Sequence, residues 1–323
     1  MTLSTESAER IALLYRVAKR NGSLVTVQEL SRLLPETVSE SEVRDAIDSV
    51  PSLSSAFELR SGFLTERLGE SSPEPIELEA GSRRSARTNL VHASRFVTFL
   101  HSSGFRVVAV SGSTSYGSAS VSKDTDLFCI APHQSMWVCL TKALIMARAY
   151  HIVNRGAPRI CISCVMDDEY ARSAFVARRH PLFARDAIEA KVLVGRDHYE
   201  SLLRTASWIS DYYPVAYGEA FKRGSAASPG QSPSSFAKMF NRVLYAAMEK
   251  YIQAKSSLLN RRFRTGGKGG DVFGVRHGED HLIYESRRYQ DLKREYEAAD
   301  QTSLHASQGN LPNLDEPLTS ELA

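Results

Sequence analysis

The chain has 323 residues, 42% of them hydrophobic, enough to bury one substantial core and a smaller one at roughly 100 to 200 residues per domain. Its 40 Lys and Arg against 37 Asp and Glu leave a formal charge of +3, without the strongly basic balance that marks a nucleic-acid protein from charge alone. The four cysteines, Cys129, Cys139, Cys161 and Cys164, suggest no disulfide framework, and the C-x-x-C at 161–164 lacks the second ligand pair that a structural zinc needs. The start MTLSTESAER has neither a basic region nor an apolar stretch, and no apolar segment approaches the roughly 20 residues that span a bilayer, so the expectation is a cytoplasmic chain with no membrane partner.

Residues 8–20 repeat apolar positions at helical spacing, with Ile11, Leu14 and Val17 on one face. Thr26 with Glu29 three residues on is a capping-box signature opening VQELSRLL, and Ser39 and Ser41 open a third helical pattern that Pro51 stops. AFELRSGFLTER then reads as two strands around Ser61-Gly62. Three short helices and a hairpin over 1–68 resemble a winged helix-turn-helix. Its third helix carries Glu40, Glu42, Asp45 and Asp48 against Arg44 alone, and such a helix meets phosphate repulsion instead of counterion release. Sequence-specific DNA binding is therefore in doubt, and a small domain packed on the rest of the chain or on a partner is an equal reading.

Residues 69–84, with two prolines, several serines and little periodicity, read as a linker. From 85 to 175 the pattern is helix, strand (VVAV), loop, strand (DTDLFCIA), long helix and strand (RICISCVM), which predicts an α/β or α+β unit around a small mixed sheet. Helical patterns dominate 176–300, interrupted by the glycine-rich TGGKGGDVFGVRHGEDH, expected to be a loop, and 301–323 is polar enough to expect disorder. Trp137 and Trp208 lie in amphipathic stretches and are expected in the core.

The segment SGSTSYGSASVSKDTDLF concentrates the chemistry. Asp124 and Asp126 alternate in a strand, so both carboxylates face one side about 6 to 7 Å apart, an arrangement that is unfavourable unless a cation is shared. Carboxylates, water and substrate phosphate are the usual Mg²⁺ environment. Upstream, Gly112 and Ser113 follow an apolar strand, where free N–H groups and a hydroxyl can surround a phosphate.

Gly112-Ser113, ten intervening residues and Asp124-x-Asp126 between apolar runs resemble the signature of the polymerase-beta-like nucleotidyltransferase superfamily. The resemblance extends over roughly residues 85–290. It implies that Gly112 and Ser113, with Ser122, hold the phosphates of an NTP, and that Asp124 and Asp126 bind Mg²⁺ for transfer of an NMP to an unknown acceptor, a small molecule, a nucleic-acid end or a protein, with release of pyrophosphate. The family's third carboxylate is missing from RICISCVM; either Asp167 or Asp168 reaches back to supply it, or two carboxylates suffice, or catalysis has been lost. Two further readings stay open: a regulator whose nucleotidyltransferase-like domain senses a ligand while the N-terminal module binds nucleic acid or a partner, and a toxin-antitoxin component that nucleotidylates another protein. Of the remaining polar clusters, Arg148 and Arg155 read as a solvated helix face or triphosphate contacts, Arg178, Arg179, His180, Arg185 and Lys191 as surface charge or a phosphate patch, and His277 with His281 as structural.

Overall fold

The computed structural model describes residues 3–67, 75–100, 104–118, 124–221, 235–265 and 273–308. The chain opens with helices α1 (Thr5–Arg20), α2 (Val27–Arg32), α3 (Glu40–Ser49) and the single turn α4 (Pro51–Ser54), followed by the antiparallel pair β1 (Phe57–Arg60) and β2 (Phe63–Glu66). Both expected caps form as reciprocal boxes, Thr26 with Glu29 and Ser39 with Glu42, each satisfying N–H groups that a helix start leaves orphaned. Pro51 does not simply end α3 but begins α4, because a missing N–H costs nothing at a first helical position.

Next come α5 (Pro75–Leu100), β3 (Val107–Val110), the short α6 (Gly112–Ser115), β4 (Thr125–Ala131), α7 (Met136–Val153) and β5 (Ile160–Asp167). The last part comprises α8 (Asp168–Ala177), α9 (Pro181–Glu189), β6 (Lys191–Val194), α10 (Arg196–Thr205), α11 (Ile209–Tyr212), α12 (Pro214–Ala220), α13 (Ser235–Thr265), β7 (Phe273–His277), β8 (His281–Ser286) and α14 (Arg287–Gln308). Six strands form one mixed sheet in the order β6-β3-β4-β5-β8-β7, in which only β4 and β5 run parallel. The fold is thus mixed α/β, with a second, two-stranded sheet near the N-terminus.

Three departures from the sequence reading concern this sheet and its approach. The stretch expected to be helical supplies three strands, β6, β7 and β8; of the glycine-rich segment expected to be a loop, the part from Phe273 forms the β7–β8 hairpin, with Gly278 N–H donating to His281 O at 2.9 Å, and 266–272 lie outside the described residues. The expected linker already belongs to a helix from Pro75. Glu79 in that helix is buried, its carboxylate accepting from Ser23 Oγ (2.9 Å), Leu24 N–H (3.0 Å) and Arg83 Nε (2.5 Å). This charge-assisted acceptor ties the start of α5 to the turn after α1. Glu79→Ala should lower unfolding stability by about 2 to 3 kcal/mol, measured by urea titration, because buried donors lose a charged partner together.

Each face of the sheet is covered. On one side Val108, Val110, Leu127, Cys129 and Val165 pack under α5, α7 and α13, with Phe96, Trp137, Leu140 and Ile252 contributed by those helices. On the other, Val107, Ile130 and Met166 join Phe175, Leu202, Trp208 and Tyr213, and this core continues without a break into Ile11, Leu14, Leu30 and Ile47 of α1–α3. Trp137 and Trp208 are core as expected, their Nε1–H groups donating to Gly278 O at 3.1 Å and Phe175 O at 2.7 Å. Among the described residues one helix, α7, is long and apolar enough to cross a membrane by length and composition, contrary to the sequence reading; here its buried side packs against the sheet.

Candidate functional site

Strands β3 and β4 pair antiparallel from Val107↔Ile130 to Val110↔Leu127, and one more ladder bond, Ser111 N–H to Asp126 O at 3.0 Å, carries the pairing to the sheet end. Gly112 therefore turns directly against Asp126: a Cβ at this glycine would lie 3.4 Å from Asp126 Oδ2. α6 starts there without a side-chain cap, while Ser115 Oγ donates to Gly112 O (2.7 Å) and Ser118 N–H to Ser113 O (3.0 Å), so the turn is held from within. Gly112, Ser113 and Asp126 are brought together as the spacing implies. Ser122 lies outside the described residues.

Asp126 is partly buried, and its carboxyl is pushed up from the usual carboxylate range to about 6, chiefly by burial and then by the neighbouring charge of Asp124, with a smaller opposing contribution from a Cys161 hydrogen bond. Cys161 stands beside Asp126 in the parallel β4–β5 register, at the position from which β5 could have offered a third carboxylate. Asp124 sits just before β4, exposed, and lines a cavity of about 570 Å³ with Arg84, Thr88 and Asn89 of α5 and His151 and Arg159 around the end of α7. Thr125 N–H donates to Arg159 O at 2.8 Å, which anchors this rim to the start of the strand.

Asp167 does not join the site. The β4–β5 register runs from Asp126↔Cys161 to Ala131↔Asp167, which places Asp167 at the opposite end of the sheet, roughly 17 to 20 Å away at the strand rise. There it caps α8, accepting from Tyr170 N–H (2.8 Å) and Gln134 N–H (3.3 Å), with His133 Nδ1 at 3.2 Å. Asp168 is occupied at the same end by Arg106 and His198, both at 2.6 Å. A parallel partner strand explains the miss: position after β5 in sequence means the far edge of the sheet in space.

One residue beyond the sequence reading enters the site from α9. Asp186 is half-buried, its carboxyl raised to about 6 by burial, and its charge adds a small upward push to Asp126. It accepts from the hydroxyls of Tyr116, which follows α6, and Tyr289 (3.2 Å) of α14. The adjacent Arg185 is buried, lies 4.4 Å over the Tyr116 ring and donates to Tyr296 Oη at 2.7 Å. Arg185 was grouped by sequence with Arg178, Arg179, His180 and Lys191, but these do not form one patch: Arg178 holds Tyr170 Oη at 2.7 Å, and His180 caps α9. The only sequence signal for Asp186 was a carboxylate on the apolar side of an amphipathic helix. Arg148 and Arg155 are exposed, and His277 and His281 lie on opposite strands of the terminal hairpin.

Asp124 and Asp126 offer hard oxygen donors, and a carboxyl whose ionisation is opposed by burial and a second carboxylate fits a divalent cation such as Mg²⁺. Among the described residues no group of three or more His, Cys, Asp and Glu side chains forms a metal cluster, so the remaining ligands of such an ion would come from water and substrate. Compared with protein-family models, curated proteins and solved structures, the chain matches none.

Proposed function

We propose that the chain is an Mg²⁺-dependent nucleotidyltransferase of the polymerase-beta-like kind that moves an NMP from an NTP to an acceptor and releases pyrophosphate. The observation that carries this reading is the packing of the Gly112 turn against Asp126, two residues along the chain from Asp124, which lines a cavity with Arg84 and Arg159. In this reading Gly112 and Ser113 hold phosphate through backbone and hydroxyl donors, and Asp124 and Asp126 hold Mg²⁺. The ion would supply charge neutralisation of the phosphates and polarisation of the attacking hydroxyl. Tyr116, fixed by Asp186 and Arg185, keeps the turn in register with the carboxylates.

Cys161 in place of a carboxylate beside Asp126 favours a second reading, a nucleotide-binding regulator without turnover. Incubation with each α-labelled NTP and Mg²⁺ separates the two. Pyrophosphate release with label on an acceptor supports transfer, and tight NTP binding without release supports the regulator. Absence of both removes the nucleotide reading altogether.

For the N-terminal helices and hairpin we propose a winged-helix-like module that packs in cis instead of reading DNA. On α3, Glu40, Asp45 and Asp48 are exposed beside Arg44, while Val43 and Ile47 enter the shared core. The full chain should bind duplex DNA no more tightly than non-specific proteins do, with Kd on the order of 10⁻⁴ to 10⁻⁶ M at physiological salt. A sequence-selective footprint in the nanomolar range would overturn this assignment.

A further inference from the structure

Helices α5 and α7 lie side by side on one face of the six-stranded sheet. Their flanks touch where the Phe99 and Tyr150 rings meet edge to face, centroids 6.1 Å apart, and where His92 Nδ1 lies 3.3 Å from Tyr150 Oη. A helix laid on a sheet ordinarily turns a polar side to water, and a helix that is apolar all round is ordinarily buried all round. α7 is apolar enough along its whole length to cross a bilayer, yet only 33% of it is buried. Its outward side carries Ile145, Ile152 and Val153, at the i, i+7 and i+8 spacing of one helix face, with exposures of 65%, 64% and 78%. The adjoining α5 adds Val91 and Phe99, also more than half exposed or at the half mark.

The charges on this face have one sign. The sequence holds no Asp or Glu from 81 to 123 or from 127 to 166, stretches that take in α5 beyond its first turns and all of α7. Arg87 and Arg95 are exposed along α5, and Lys142 and Arg148 along α7. Aliphatic side chains set among hydrated cations match the boundary of an anionic bilayer, where headgroup phosphates meet the cations and the acyl region takes the aliphatics. A nucleic-acid strand would use the cations but not Ile145, Ile152 and Val153, because bases stack on aromatic rings. An isologous contact with a second copy would bury the aliphatics but set a cationic face against itself.

We propose that the outer face of α5 and α7 docks on an anionic phospholipid surface. Ile145, Ile152 and Val153 enter the acyl boundary, and Arg87, Arg95, Lys142 and Arg148 meet the headgroup phosphates. The helices lie on the bilayer without crossing it, because the other side of α7 is committed to the sheet through Trp137 and Leu140. This docking goes beyond the nucleotidyltransferase reading and does not rest on it.

Co-sedimentation of the full chain with vesicles tests the proposal, using equal parts phosphatidylcholine and phosphatidylglycerol in one series and phosphatidylcholine alone in another. The wild type should bind the anionic vesicles at least about tenfold more tightly than the neutral ones, and less tightly as salt rises. The double variant Ile145→Gln, Ile152→Gln should bind anionic vesicles at least about tenfold more weakly, and so should Arg95→Gln, Arg148→Gln. Both variants change exposed side chains and should melt with the wild-type Tm. The proposal fails if the wild type does not sediment with anionic vesicles, if neutral vesicles serve equally well, or if either double variant binds like the wild type. It fails too if an oligonucleotide binds through Arg95 and Arg148 while vesicles do not, or if the chain forms a dimer that the isoleucine variant splits and that ignores vesicles.

Discussion

Gly195→Ala is expected to cost about 4 kcal/mol or more of unfolding stability, a large share of the roughly 5 to 15 kcal/mol that typically holds a domain folded. Gly195 joins β6 to α10 with φ +74°, a left-handed conformation that costs an L side chain roughly 1 to 2 kcal/mol by itself. The larger part comes from the neighbouring strand. A Cβ here would sit 1.8 Å from Arg106 O and 3.2 Å from Val107 Cα, backbone atoms at the entry to β3. Rotating a side chain cannot relieve that overlap. Arg106 is held by its N–H to Ile130 O (2.8 Å) and its guanidinium to Asp168 (2.6 Å), so the strand cannot retreat without loosening β3 from β4. Nor can α10 swing away cheaply, since Tyr199, Leu202 and Leu203 are core residues. Urea unfolding of the wild type and the variant measures the difference; a loss below about 2 kcal/mol, within what left-handed strain alone explains, would show that β6 is not packed against β3 as described.

That glycine also shows where sequence reasoning stops. β3, β4 and β5 were legible because each is an apolar run bounded by turn residues, and the alternation in KDTDLF placed Asp126 on the sheet. β6 was not, because KVLV is four residues long between two strongly periodic helices, too short for its own pattern to outweigh theirs. The β7–β8 pair was masked by glycines that read equally as a loop. The candidate site divides in the same way. Gly112, Ser113 and Asp126 are local in sequence and their meeting follows from one antiparallel pair. Asp186 and Tyr116 meet only through the packing of α9 against the sheet face, which no local pattern encodes. Asp167 was misplaced for a related reason: nearness in sequence to β5 says nothing about which end of the strand a residue occupies.

Asp126→Asn should raise stability at neutral pH by up to about 2 to 3 kcal/mol while removing any stabilisation by Mg²⁺ and NTP. The folded carboxyl titrates at about 6 against an ordinary 3.8, so between these values the folded state holds a proton that the unfolded chain has released. Stability from this group is therefore fully present below about pH 4 and is lost as pH rises through about 6. At neutral pH the ionised side chain opposes folding, and the amide removes that charge while its oxygen can still accept a hydrogen bond from Cys161. The variant should keep part of the pH dependence, because Asp186 also titrates at about 6 in the folded chain. If Asp126 instead served only as a strand-end hydrogen-bond acceptor, the substitution would lower stability by about 1 to 3 kcal/mol, and the wild-type Tm would not respond to Mg²⁺ with NTP. Thermal melts of both proteins at pH 4, 6 and 8, with and without Mg²⁺ and each NTP, decide the matter. A wild type blind to ligand and a variant less stable at pH 8 would remove the metal from Asp126, and with it the nucleotidyl-transfer reading of the Gly112 turn.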